Sequence, residues 1–78
     1  VEDDRTFREV LARAFRRRGF AVLEAGDAAS ALALAGAAST RDAPPGYAVV
    51  DLKLPDASGL EVVAGLRELD ERLRIVVL

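Results

Sequence analysis

The fold is decided by one stretch in the second half of the chain, Tyr47-Ala48-Val49-Val50-Asp51-Leu52-Lys53-Leu54-Pro55-Asp56-Ala57-Ser58-Gly59. Its first four residues form a continuous apolar run, which is typical of a strand covered on both faces of a parallel sheet. The run ends at Asp51, so the sequence predicts a carboxylate at the carboxyl end of this strand. Ser58 and Glu61 have the spacing of a capping box, which predicts a helix from there to about Leu69.

A second acidic group stands near the start of the chain, where Glu2, Asp3 and Asp4 follow Val1. Both acidic points are explained if they lie at the carboxyl ends of neighbouring parallel strands, because ligands bind at that edge of α/β sheets. Neighbouring strands are about 4.8 Å apart, so we expect the carboxylates of Glu2, Asp3 and Asp51 to lie within about 5–7 Å of one another. Asp4 is instead a candidate for the cap of a helix.

Three clustered carboxylates require a counterion. At an effective dielectric constant near 20, each pair repels by about 2–3 kcal/mol. A hard divalent cation with oxygen ligands relieves this repulsion, and Mg²⁺ is the expected ion because it also bridges to phosphoryl oxygens. Asp51, at the tip of its strand, would then be a nucleophile that forms an acyl phosphate.

The first third of the chain predicts an amphipathic helix. Apolar residues recur at helical spacing, and arginines are expected to face outward between them. The apolar stripe consists of Phe7, Val10, Leu11, Ala14 and Phe15, and the outward arginines are Arg8, Arg13 and Arg17. Asp4 or a capping box from Thr6 begins this helix, and the sequence does not choose between them; Gly19 ends it.

The remaining segments alternate between strand and helix. A short strand is predicted from Phe20 to Leu23, a helix capped by Asp27 from roughly Ala28 to Ala38, a loop from Ser39 to Gly46, and a final buried strand from Arg74 to Leu78. Together with a first strand reduced to its last residue or two, this order predicts an α/β fold with a doubly wound parallel sheet. By analogy the sheet is flavodoxin-like, with strand order 2-1-3-4 and the fifth strand missing.

Composition excludes several kinds of chemistry. The 78 residues contain no cysteine, histidine, methionine or tryptophan, which removes disulfides, Cys/His zinc sites and any Ser-His-Asp triad. The net charge of −2 gives no sign that the chain binds nucleic acid. No apolar run approaches the roughly 20 residues of a membrane span. At this length we expect one small domain at most.

These residues together resemble the receiver domain of bacterial two-component response regulators. The resemblance rests on Val1-Glu2-Asp3-Asp4, on the run from Val49 to Asp56, and on the spacing of Asp51, Pro55 and Gly59. It covers essentially all 78 residues, which look like a partial receiver lacking its last strand and last helices. Around Asp51 the chain is similar to redox-responsive global regulators that carry a helix-turn-helix output.

The resemblance implies a role for each matching position. Asp51 would be the phosphoacceptor, Asp3 a direct Mg²⁺ ligand, Glu2 a ligand acting through water, and the main-chain carbonyl of Lys53 a third ligand. The implied partner is a sensor histidine kinase, and the implied location of this chain is the cytoplasm. A DNA-binding output domain would lie outside this chain, which would be a phosphoacceptor and not an enzyme.

Two departures keep alternatives open. Receivers place a Ser or Thr just after the fourth strand and a Lys at the end of the fifth, and Leu78 comes before both positions. A phosphorylation-independent pseudo-receiver is therefore one alternative. A haloacid-dehalogenase-type phosphatase fragment is a second, although its motif requires an Asp where this chain has Lys53.

Overall fold

The computed structural model describes all residues from Val1 to Leu78. It contains three helices and two strands in the order α1 (Arg5–Arg17), α2 (Ala28–Thr40), β1 (Tyr47–Val50), α3 (Gly59–Leu69) and β2 (Arg74–Val77). The strands β1 and β2 are parallel, and their register pairs Tyr47 with Arg74 and Val50 with Val77. None of the helices is both long and apolar enough to cross a membrane.

The first two residues lie along the other side of β1. The Asp51 N–H donates to the Val1 carbonyl at 3.0 Å, and the Val1 nitrogen donates to the Val49 carbonyl. On its far side this short segment meets residue 25, because the Glu2 N–H donates to the Ala25 carbonyl at 3.0 Å. Glu2 and Asp3 therefore arrive beside the carboxyl end of β1.

The strand predicted from Phe20 to Leu23 is wrong, because these residues form no regular secondary structure. A strand requires a repeated ladder of hydrogen bonds with a neighbour. Only one backbone hydrogen bond joins this part of the chain to residues 1–2: the Glu2 N–H donates to the carbonyl of Ala25, two residues after Leu23. Arg16 contacts the segment from the other side, donating from Nη2 to the Val22 carbonyl at 3.3 Å.

The structure resolves how α1 begins and ends. Asp4 is the N-cap, since its Oδ1 accepts from the Phe7 N–H at 3.1 Å. At the other end Gly19 has a φ of 92°, and the N–H groups of Gly19 and Phe20 donate to the carbonyls of Arg16 and Phe15. This is a Schellman motif, which agrees with the predicted stop at Gly19.

The predicted faces of α1 are partly wrong. Ala12, which was not in the predicted stripe, is the buried residue of the helix, whereas Phe7 and Val10 are 44% and 53% exposed. Arg8 does not point outward: its Nη1 donates to the Glu2 carbonyl at 2.8 Å. This bond to the Glu2 carbonyl turns the side chain inward, and helical periodicity alone does not predict it.

The core lies between α2, α3 and β1. Val50 and Val62 are fully buried, and they pack with Leu66, Leu73 and the buried alanines of α2. The small alanine and glycine side chains let the helices approach closely, since a Cβ at Gly65 would lie 2.6 Å from Leu32 Cδ2. Helix α2 also extends to Thr40, two residues past its predicted end.

The last strand is correctly placed but is not buried as predicted. Val76, Val77 and Leu78 are 56%, 41% and 50% exposed. Because β1 is the only strand beside β2, the other edge of β2 is open. The prediction from apolar composition assumed that both faces of β2 are covered, but the side chains of Val76 and Val77 are exposed.

Candidate metal and phosphoacceptor site

Three carboxylates meet at the carboxyl end of β1. One oxygen each from Glu2, Asp3 and Asp51 lies within 4.8 Å of the others. Asp51 comes directly after the last residue of β1, and the hydrogen bond from its N–H to Val1 fixes the two acidic segments side by side. The predicted proximity of these groups is confirmed, while the roles assigned to them stay predictions.

The three side chains differ in their exposure and their hydrogen bonds. Glu2 is buried, with 7% of its surface exposed, and its Oε1 accepts from the Asp4 N–H at 3.2 Å. Asp51 is half-buried, and its Oδ1 accepts from the Lys53 N–H at 3.3 Å. Asp3 is exposed. The cluster thus has one anchored, one half-buried and one solvent-facing carboxylate.

No side-chain cation of the protein is paired with the cluster. No arginine or lysine forms an ion pair with Glu2, Asp3 or Asp51. Arg8 contacts other groups: its Nη1 donates to the Glu2 main-chain carbonyl, and its Nε lies 3.9 Å from Glu24 Oε1. The donor set is all oxygen and strongly anionic, which fits a hard divalent cation.

The electrostatics of the cluster act most strongly on Glu2. Burial raises the pKa of this carboxyl, and the neighbouring Asp51 and Asp3 carboxylates raise it further, while the hydrogen bond from Asp4 partly opposes them. A bound cation would favour the ionised form and so lower the same pKa. The site as folded is therefore destabilised by its own charge in the absence of a cation.

Gly59 supports the site from behind. The helix α3 begins at Gly59, which is buried, and its N–H donates to the Leu52 carbonyl at 2.8 Å. A Cβ on this residue would lie 2.0 Å from the main-chain oxygen of Asp51. Only glycine permits this approach of the helix to the end of the strand. Ser58 and Glu61 form the predicted capping box just before it.

The loop between β1 and α3 carries the other predicted residues. Lys53 is exposed, and its backbone forms an isolated antiparallel bridge with Ser58. Pro55 lies exposed at the far end of this loop. The neighbouring Asp56 contacts α2, which sequence reasoning did not predict. No spacing signal links two residues that are 28 positions apart.

Comparisons with known proteins agree with this geometry. The family described as the response regulator receiver domain matches residues 1–78. The chain is 47% identical over 78 residues to the photosynthetic apparatus regulatory protein RegA of Rhodobacter capsulatus and 42% identical to the acid tolerance regulatory protein ActR of Rhizobium meliloti. These matches cover all of this chain but only 40% and 38% of the relatives.

A solved structure is also similar. It is the crystal structure of a response regulator protein from Burkholderia pseudomallei with a phosphorylated aspartic acid, calcium ion and citrate. The TM-score is 0.86 at 39% sequence identity, and the match covers 97% of this chain and 42% of that one. The α/β architecture described above is thus shared with that protein.

Proposed function

Because this chain belongs to the response regulator receiver family, we propose that it accepts a phosphoryl group from a sensor histidine kinase on Asp51. The observation that carries the proposal is the meeting of Glu2, Asp3 and Asp51 within 4.8 Å, with no arginine or lysine paired to them. A strand-end carboxylate in such a setting is placed to act as a nucleophile rather than as a member of an ion pair.

The transfer step uses one oxygen of Asp51. This oxygen attacks phosphorus in line with the phosphohistidine nitrogen, so that a P–O bond forms while the P–N bond breaks. The electron pair of the broken bond stays on the kinase imidazole, which takes up a proton. The product is an acyl phosphate on Asp51. The Lys53 N–H, which donates to Asp51 Oδ1, orients the carboxylate for attack.

The residues present fit Mg²⁺ as the cofactor. Asp3, Asp51 and the main-chain carbonyl of Lys53 would bind it directly, and Glu2 would bind through water. When bound, Mg²⁺ neutralises charge on the phosphoryl oxygens. The calcium ion named for the similar Burkholderia protein is a cation of the same hard class and supports this assignment.

We further propose that the chain is part of a receiver with sheet order 2-1-3-4. Its four successive positions would be the irregular segment of residues 20–25, residues 1–2, β1 and β2. The backbone bonds from Glu2 to Ala25 and from Asp51 to Val1 support this order.

The chain spans about 40% of the length of the curated relatives that it matches. An output domain, of helix-turn-helix type by analogy, and a cytoplasmic location belong to the same proposal.

The test replaces the acceptor in the full-length protein. Asp51→Asn keeps the shape of the side chain but removes the nucleophilic oxygen anion, so we expect acid-labile phosphate incorporation from phosphoramidate or a kinase to be abolished. Asp42→Asn is the matched control: Asp42 is exposed with a φ of 58°, a conformation that Asn adopts equally well. Full labelling of Asp51→Asn would show that a residue other than Asp51 accepts the phosphoryl group. An unlabelled wild type would favour the pseudo-receiver.

A further inference from the structure

The loop from Asp51 to Ser58 is held at its base. The backbone bridge between Lys53 and Ser58 closes it, and the Gly59 N–H bonded to the Leu52 carbonyl reinforces the closure. The residues beyond the bridge, Leu54 to Ala57, make no backbone hydrogen bond to the sheet. Closure at the base alone leaves this far part of the loop free to pivot.

Asp56 ties the far part of the loop to α2. Its Oδ1 accepts from the Ala28 N–H at 2.9 Å, and its Oδ2 accepts from the Ala29 N–H at 3.0 Å. These two bonds lower the pKa of the Asp56 carboxyl, so it is ionised at neutral pH. The bonds use two of the free N–H groups that every helix has in its first turn.

The same helix end already has a cap from its own sequence. Asp27 Oδ1 accepts from the Ser30 N–H at 2.7 Å. Asp27 and Asp56 therefore share the first turn of α2, each taking N–H groups that the other does not reach. Asp27 is local to the helix and Asp56 is not. A cap for α2 alone does not require Asp56, and the extra carboxylate has the effect of joining the loop to the helix.

We propose that Asp56 is a positioning residue that holds the loop after Asp51 against α2, so that the Lys53 carbonyl stays at the acidic cluster. The Lys53–Ser58 bridge fixes the base of the loop and Asp56 fixes its far part. The peptide group between Lys53 and Leu54, which carries the Lys53 carbonyl, is the first beyond the bridge and so lies between the two attachments. This inference rests on the proposed function, because the carbonyl matters only if a cation binds there. It adds a residue that touches neither the cation nor the phosphoryl group.

The experiment measures Mn²⁺ binding to the full-length protein by electron paramagnetic resonance of the free ion, with Mg²⁺ as competitor. Mn²⁺ prefers the same oxygen ligands as Mg²⁺. We expect Asp56→Ala to raise the Kd about tenfold, the usual cost of losing a group that orients a ligand. Asp27→Ala is the matched control, because it removes the same charge from the same helix end but leaves the loop attached. We expect its Kd to match the wild type.

A second readout needs no metal. Amide hydrogen exchange at Lys53 in the metal-free protein should be faster in Asp56→Ala than in wild type and unchanged in Asp27→Ala. Asp56→Asn, which keeps one acceptor oxygen, should be intermediate in both measurements; it also serves if Asp56→Ala fails to fold.

Two results would overturn the proposal. One is an equal effect of Asp27→Ala and Asp56→Ala, which would reduce Asp56 to a helix cap. The other is unchanged Lys53 exchange in both Asp56 variants. If the wild type binds no Mn²⁺ but Lys53 still exchanges faster in Asp56→Ala than in wild type, the metal site is contradicted. The attachment of the loop to α2 by Asp56 is then still supported.

Discussion

Glu2 links the charge of the acidic cluster to the stability of the folded protein. Burial raises the pKa of its carboxyl, and the neighbouring carboxylates add to this. The folded state therefore binds the Glu2 proton more tightly than the unfolded state does. As pH falls from neutrality, the contribution of Glu2 to the free energy of unfolding rises, and it is fully present below the ordinary pKa of glutamate. As pH rises through the folded-state pKa, this contribution is lost.

We predict that Glu2→Gln stabilises the metal-free protein at pH 7 by about 2 kcal/mol, the size of one carboxylate repulsion at an effective dielectric constant near 20. The gain should shrink as pH falls towards the ordinary pKa of glutamate, because the raised pKa of Glu2 lets the wild type take up its proton first. Urea unfolding at pH 7 and at progressively lower pH measures this, with the exposed Glu68→Gln as control. Added Mg²⁺ should reverse the order by stabilising the wild type more. A Gln variant less stable than wild type without metal would contradict the assignment.

Between elements, the approach of α3 to the end of β1 depends on a single missing methyl group. We predict that Gly59→Ala destabilises the folded protein by about 3 kcal/mol, because the new Cβ would meet the Asp51 main-chain oxygen at 2.0 Å. Gly36→Ala in α2 is the control, since a Cβ there meets no atom within 4 Å and alanine favours the helix. Thermal unfolding of both variants decides the matter; equal stability would show that α3 shifts freely.

Sequence reasoning succeeded at the elements whose signals are local. The Ser58 capping box, the Asp27 cap and the stop at Gly19 each involve neighbours within a few residues. It failed where the outcome depended on distant partners. Residues 20–23 have strand-like composition but lack a ladder partner, and the guanidinium of Arg8 is drawn inward by the Glu2 carbonyl.

The candidate site shows the same division. The acidic pair and Asp51 were predictable because parallel strands bring their carboxyl ends to one edge. The attachment of Asp56 to α2 was not, because it depends on how the loop folds back over a helix 28 residues away. Reactive and ligand-binding residues can be predicted from their residue type and spacing. Residues that position them can be identified only from the three-dimensional structure.

At the scale of the whole molecule, the apolar surface is the dominant feature. Large apolar side chains along β2 and on α3 are open to solvent, with Val76 at 56% and Leu60 at 61% exposed. An uncovered strand of branched apolar residues promotes pairing with other chains. Such a surface in a folded protein requires cover from other parts of the same or another polypeptide.

We predict that residues 1–78, produced as a separate polypeptide, associate or remain molten. Light scattering after gel filtration, together with binding of a hydrophobic dye, should show this at micromolar concentration. Val76→Lys should reduce the association by adding charge to the exposed strand. A monomer with one cooperative thermal transition would show that the exposed apolar faces are harmless.

The aromatic contacts at the far end of β1 have a practical consequence. Tyr47 is the only tyrosine in the 78 residues, which contain no tryptophan. Its ring meets Phe20 edge-on at 6.1 Å, and the Arg74 guanidinium lies 5.8 Å from its centre. Because it stands four residues from Asp51 along the strand, about 13 Å away, its ultraviolet emission cannot be quenched by direct contact with an ion at the acidic end. Any change in that emission when a cation or phosphoryl donor is added would therefore report a structural change at the far end of β1, which makes Tyr47 an intrinsic optical probe of long-range coupling.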